Sequence, residues 1–92
     1  VRLDKFLKVM AIIKRRTVAN EAANEGFILI NGKSAKPSST VKQGDVLEID
    51  MWNYYKKITI IDVPSKNSVP KKDREKYIRT DEYKPKEPDD II

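Results

Sequence analysis

The stretch IIKRRTVANEAANEGFILING, residues 12–32, decides how this chain is read. Thr17 is a good helix N-cap, and behind it Val18, Ala19, Ala22 and Ala23 gather on one side of a predicted helix. Asn20, Asn24 and Glu25 fall on the other side. Asn20 stands where a capping box would place Glu or Gln, so Thr17 caps alone. The alanines let the helix approach a neighbour closely. Gly26 ends it, because glycine takes a left-handed C′ conformation without strain. Phe27-Ile28-Leu29-Ile30 then reads as a strand, and Asn31-Gly32 is the strongest short hairpin signal. Lys33 to Lys36 form the return strand, stopped by Pro37 and the Ser38-Ser39-Thr40 loop.

Lys14, Arg15 and Arg16 stand directly before that helix, with no acidic neighbour to pair with them. A helix N-terminus is its positive end, where phosphates and carboxylates are favoured and cations are not. Two arginines there cost a little stability, and a phosphate bound among them would restore it.

Upstream, Leu3, Phe6, Leu7 and Met10 follow the i, i+3, i+4, i+7 stripe of an amphipathic helix ending near Val9 to Ala11. Ile12 and Ile13 cover the core in a short connection. Asp4 has two readings. It complements the helix dipole and pairs with Lys8 four residues on, or it takes part in binding. Downstream, Gly44-Asp45 turns the chain into Val46–Met51, and Ile58 to Ile61 with Val63 supply a last strand. From Pro64 the chain is polar. Residues 71–79 are expected to form a short helix after Pro70, followed from Asp81 by a loosely ordered charged tail holding Pro85, Pro88, Asp89 and Asp90. We therefore expect an α+β fold in two parts. Residues 1–63 put two N-terminal helices on a small, mostly antiparallel sheet, and residues 64–92 form a C-terminal extension.

Charge is placed unevenly. Residues 1–16 hold six cations against Asp4 alone, while the remaining 13 cations and 13 anions cancel, so the whole net charge of +5 sits at one end. A localised basic surface is the footprint of a polyanion partner. Nucleic acid fits better than anionic lipid, since the adjoining helices look like core elements and not free amphipathic anchors. No apolar run reaches the roughly 18 residues of a membrane span, and we expect neither membrane association nor a signal peptide. The chain has no Cys and no His, which removes thiolate metal sites, the commonest metal ligand and the commonest general base. A non-enzymatic, cytoplasmic monomer without cofactor is the expectation. Ser38, Ser39 and Thr40 have no base to activate them, so they read as loop residues.

The order helix, basic entry, helix, Gly, strand, Asn-Gly, strand, Gly-Asp, strand resembles the S4 RNA-binding domain, the alpha-L motif. The likeness rests on R-L-D-K-F-L at 2–7, K-R-R-T-V-A at 14–19, E-G-F-I-L-I-N-G at 25–32 and G-D-V-L-E-I at 44–49. Only 43 residues follow position 49, too few for the catalytic domains that often carry this motif, which points to a stand-alone form. Two such ribosome-associated branches are similar, a heat-shock S4 protein and RqcP. Phe6 and Lys8 flank Leu7 as in the second, whereas the first usually has Trp there.

The RqcP resemblance implies binding to 23S rRNA of the large ribosomal subunit and to P-site tRNA, beside an RqcH-type factor that adds a C-terminal alanine tail to stalled chains. By position it implies RNA-facing roles for Arg2, Asp4 and Arg16, with Lys5, Lys8, Lys14 and Arg15 in support. A carboxylate cannot bind phosphate, but it accepts hydrogen bonds from a base, a ribose 2′-OH or an arginine that it orients. Lys33 and Lys36 either extend this surface or stand as solvated charge. Trp52, Tyr54 and Tyr55 lie outside the resemblance; they read as strand residues covering a sheet in preference to base-stacking platforms. The competing functions are a general rRNA-binding or heat-shock S4 factor and a protein–protein adaptor.

Overall fold

In the computed structural model, which describes residues 1–86, two helices pack on one face of a five-stranded antiparallel sheet. Helix α1, Leu3–Val9, buries Leu3, Phe6, Leu7 and Val9, and Met10 at its C-cap completes the stripe. The chain leaves α1 through Ala11, held at a positive φ of 54°, and Ile13 turns back into the core with its N–H bonded to the Leu7 carbonyl. Helix α2 runs Arg16–Asn24 and buries Ala19, Ala22 and Ala23. Thr17 is not its cap. Arg15 occupies the cap in extended conformation without a side-chain capping bond, and Arg16 already lies in the first turn. Helical side chains lean toward the N-terminus, so an Arg16 inside the helix reaches back toward α1. At the other end Gly26, at φ 83°, donates to the Ala23 carbonyl and Phe27 to the Ala22 carbonyl, the paired bonds of a Schellman stop.

Strands β1 (Ile28–Ile30) and β2 (Lys33–Ser34) form the Asn-Gly hairpin, each shorter than the pattern suggested. Asn31 and Gly32 both have positive φ, as a type I′ turn requires. The Asn31 amide also donates to Asp45 at 3.1 Å and accepts from the Val46 N–H at 2.9 Å. That locks the hairpin tip to the start of β3 (Val46–Asp50) and gives the buried Asp45 one partner, the Lys42 N–H supplying another. β4 runs Tyr54–Ile60 and β5 Ile78–Pro85, giving the order β2-β1-β3-β4-β5. Ile28, Leu47, Ile49, Ile58, Ile60 and Ile78 face α1 and α2 in a single core. Burying Phe6 alone supplies about 1.5–3 kcal/mol.

The second half departs from expectation. β4 starts four residues before Ile58, because Tyr54 and Tyr55 already pair with β5 and β3, and it stops at Ile60, leaving Val63 outside it. The expected helix over 71–79 is a 3-10 helix confined to Lys71–Lys76. The stretch from Asp81 to Pro85 is not a loose tail. It continues β5, paired with β4 from Ile60↔Ile78 to Tyr54↔Pro85 across one bulge. Its ladder depends on backbone bonds and cross-strand pairs, not on apolar burial, since Ile78 is the one fully buried member. Pro88, Asp89 and Asp90 lie outside the described residues. Between the strands, residues 61–77 form a mostly exposed connection that meets α1 at Val69, which is buried with its N–H bonded to the Val9 carbonyl. Among the described residues no helix is long and apolar enough to cross a membrane.

Candidate RNA interface

The site is built around one carboxylate. Asp4 lies in the first turn of α1, with its backbone N–H bonded to the Pro37 carbonyl, so the loop after β2 fixes its position. It is 2% exposed, covered by the side chains that bind it. Arg2 grips it with a two-pronged contact, Nε to Oδ1 at 3.2 Å and Nη2 to Oδ2 at 3.1 Å. The Lys5 N–H donates to Oδ1 at 2.8 Å. From α2, Arg16 Nη2 stands 3.4 Å from Oδ1, and Asn20 Nδ2 stands 3.5 Å from Oδ2. The last two are at the weak end of hydrogen-bond geometry, so Asp4 holds Arg16 by one longer contact and Arg2 by two shorter ones.

Burial pushes the Asp4 carboxyl up, but the bonds from Arg2, Arg16 and Asn20 and the charge of Arg16 outweigh it and hold it below its ordinary 3.8. The carboxylate is therefore ionised at neutral pH. With five donors converging on it, little accepting capacity remains for a ligand. Asp4 acts by orientation. Both arginines stay half exposed, their side chains at 52% and 47%, each with one edge on Asp4 and the rest of the guanidinium toward solvent.

Beside them an open cleft of about 390 Å³ is lined by Asp4, Arg16, Thr17, Asn20 and Glu21. Asn24 steadies it by donating from Nδ2 to the Asn20 side-chain Oδ1 at 3.0 Å. Arg16, Asn20 and Asn24 recur at four-residue spacing, so this polar stripe was available in the sequence although its function was not. Thr17, expected as a cap, is a cleft wall instead.

The nine residues singled out in the sequence do not all converge. Arg2, Asp4 and Arg16 are brought together. The expectation that nothing acidic pairs with the cluster fails for Arg16, whose partner is twelve residues upstream on the other helix. Asp4 pairs with the two arginines instead of Lys8. Lys5 contributes its backbone N–H, while its side chain lines a separate hollow with Phe6, Pro64 and Lys66. Lys8, Lys14 and Arg15 are exposed, and among the described residues none forms an ion pair. Lys36 adjoins Pro37, whose carbonyl holds Asp4, so it stands at the margin of the site. Lys33 lies in β2, exposed, with no hydrogen bond to the cluster. Tyr54 and Tyr55 are strand residues. Tyr55 donates to Glu48 at 2.6 Å, and this bond chiefly pushes its phenol up to about 12. Trp52 lies in the preceding turn, 79% exposed.

Paired helices that present arginines beside a hairpin define an alpha-L type domain, and residues 1–47 match the S4 domain family, to which this chain belongs. It is 40% identical over 78 residues to the RQC P-site tRNA stabilizing factor of Helicobacter pylori J99, covering 85% of this chain and 93% of that protein. The factor of the same name from Bacillus subtilis is 61% identical over 49 residues, 53% of this chain and 57% of its own. The trimeric structure of Vibrio cholerae Heat Shock Protein 15 superposes with a TM-score of 0.76 at 27% identity, over 87% of this chain and 80% of that one.

Proposed function

We propose that this chain is a non-enzymatic RNA-binding factor of bacterial ribosome-associated quality control. It binds 23S rRNA of the large subunit and stabilises P-site peptidyl-tRNA while an RqcH-type factor adds C-terminal alanines to the stalled product. It acts in the cytoplasm, on the ribosome, as a monomer without cofactor. The observation that carries the reading is the pair of half-exposed arginines, Arg2 and Arg16, supplied by two helices and aimed by one covered carboxylate. Guanidinium groups held this way bind phosphate with a planar fork and have less rotamer freedom left to lose. Lys8, Lys14 and Arg15, exposed and without an ion pair among the described residues, add to the positive charge of the two helices. The likeness to relatives named as P-site tRNA stabilizing factors supports the choice of RNA.

Co-sedimentation tests the proposal. The tagged chain is expected with large subunits that carry tRNA, and to leave them after RNase treatment or when Arg2→Ala and Arg16→Ala are combined. With about five phosphates neutralised, affinity for the tRNA should fall with salt at a log–log slope near −4. Recovery with small subunits alone would overturn the quality-control role. A partner retained after both RNase and the double substitution would favour the protein adaptor.

A further inference from the structure

The core-facing side of the sheet ends in a cation. Alternation along β4 places Tyr54, Lys56, Ile58 and Ile60 on one face, and Ile58 and Ile60 are fully in the core. In the register, Lys56 stands between Ile49 of β3 and Tyr83 of β5, in a row that begins with Ile28. The 3-10 helix brings Lys71 and Arg74 over the same end. With Ile61, Ile78 and Thr80 these three cations line an open cleft of about 540 Å³. Arg74 Nε is buried and has no hydrogen-bond partner among the described residues. Among those residues Lys56, Lys71 and Arg74 form no ion pair. Burial, and then the charge of Arg74, pull the Lys56 ammonium below its ordinary range, so two like charges are held against each other under partial cover. Glu75 is the one carboxylate in the lining. Arg79 also lines the cleft, but Asp81 and the Thr59 hydroxyl hold its guanidinium. At the outer end of the row Tyr83 is more than half exposed and stacks on Tyr54, with ring centroids 6.1 Å apart and planes at 29°.

We propose that Lys56, Lys71 and Arg74, flanked by Tyr83, form a second RNA contact, one that neutralises backbone phosphate and stacks an unpaired base apart from the α1–α2 cleft. The inference rests on the RNA-binding reading above and adds a second surface to it. Converging cations that have no carboxylate partner among the described residues gain most from a phosphate, which offers several acceptor oxygens at once. An open tyrosine ring beside them accepts any base on its π-face, as single-strand binders use aromatic side chains. An acidic protein segment would satisfy the charges but not use the ring. Two contacts on one rigid chain also make the second an intramolecular event, raising affinity beyond either site alone.

The test follows backbone amides of the full-length chain during titration with a purified tRNA and with an rRNA hairpin, beside the salt dependence of affinity measured by fluorescence anisotropy. Lys71 and Tyr83 are exposed, so Lys71→Glu and Tyr83→Ala leave the fold intact. Amides of residues 56, 71, 74 and 80 should shift in addition to those of 4, 16 and 20. Lys71→Glu should weaken binding about ten-fold and flatten the salt slope by about 1. Tyr83→Ala should weaken it with the slope unchanged, because stacking releases no counterions. Shifts confined to the α1–α2 group, with both variants binding normally, would overturn the second site and leave the first standing. Shifts at neither group would overturn both. Shifts at the second group alone would support this site and remove the first.

Discussion

Two regions carry most of the organised charge, and they handle it differently. On β5 and its neighbours cations and anions are matched one to one: Arg79 with Asp81, Lys84 with Glu82, Lys86 with Asp50. At the junction of α1 and α2 two arginines share one carboxylate, and three further cations have no partner among the described residues. The first arrangement keeps an exposed edge strand soluble and hard to pair with another chain. The second leaves a fixed positive surplus. Net charge alone does not mark a binding surface. What marks the α1–α2 surface is an excess of cations, two of them held by one buried anion that cannot neutralise them all.

Asp4→Asn should break this contrast most severely. It leaves the shape of the turn but removes the charge that fixes both guanidiniums, and we expect a loss of about 1–3 kcal/mol of stability by chemical denaturation. Two effects oppose each other in RNA binding. Removing an anion strengthens non-specific attraction and steepens the salt slope by at most about 1. Freeing two arginine side chains costs about 0.5–1.5 kcal/mol each on binding. The second effect wins, so affinity for tRNA should drop roughly thirty-fold, an amount equal to about 2 kcal/mol. Tighter tRNA binding by Asp4→Asn would show that Asp4 opposes RNA and does not aim the arginines.

Arg16→Lys probes the same site more gently. The charge remains and the fork is lost, so binding should weaken about ten-fold with the salt slope almost unchanged. Equal affinity for the two side chains would mean that Arg16 acts only as a point charge.

The legibility of the molecule follows from the range of its interactions. Helix α1 announces itself through Leu3, Phe6, Leu7 and Met10, and the β1–β2 hairpin through Asn31-Gly32, because helical stripes and turn chemistry are local. Strand β5 does not, since a strand with one buried residue and a ladder to partners 18 to 31 positions away has no apolar period to read. The site divides the same way. Charge concentration and the family likeness bring Arg2, Asp4 and Arg16 forward. That Asp4 meets Arg16 instead of Lys8, and that Asn20 joins them, are facts of tertiary packing across 12 and 16 residues. Thr17 misleads because a capping residue and a cleft residue have the same side chain.

Acid titration sharpens the comparison, because Asp4 and Asp81 are both held below the ordinary 3.8. For Asp81 the causes are bonds from the Thr59 hydroxyl and Arg79, added to by nearby positive charge. A carboxyl depressed in the fold stabilises it above the unfolded value, and that contribution disappears as pH falls through the folded value. Both groups should therefore titrate below 3.8 in carbon NMR. Added salt should move Asp81 back toward 3.8 and leave Asp4 nearly in place, since screening acts on exposed pairs far more than on covered ones. Equal salt sensitivity would mean that Asp4 is open to solvent.

The smallest effect belongs to Arg79→Ala. Its ion pair with Asp81 is shorter than either pair at Asp4, 2.7 Å against 3.1 and 3.4 Å, and contact distance alone would rank it above them. Exposure reverses that order, because water already solvates both partners and an exposed pair gains little over its hydrated halves. The β4–β5 backbone ladder does not pass through the side chain, and the Thr59 hydroxyl still bonds Asp81 after the substitution. No measurable change in melting temperature or in tRNA affinity is expected. A clear loss of stability would make the edge strand depend on its charges, and the one-to-one pairs would then be structural supports and not a solvated rim.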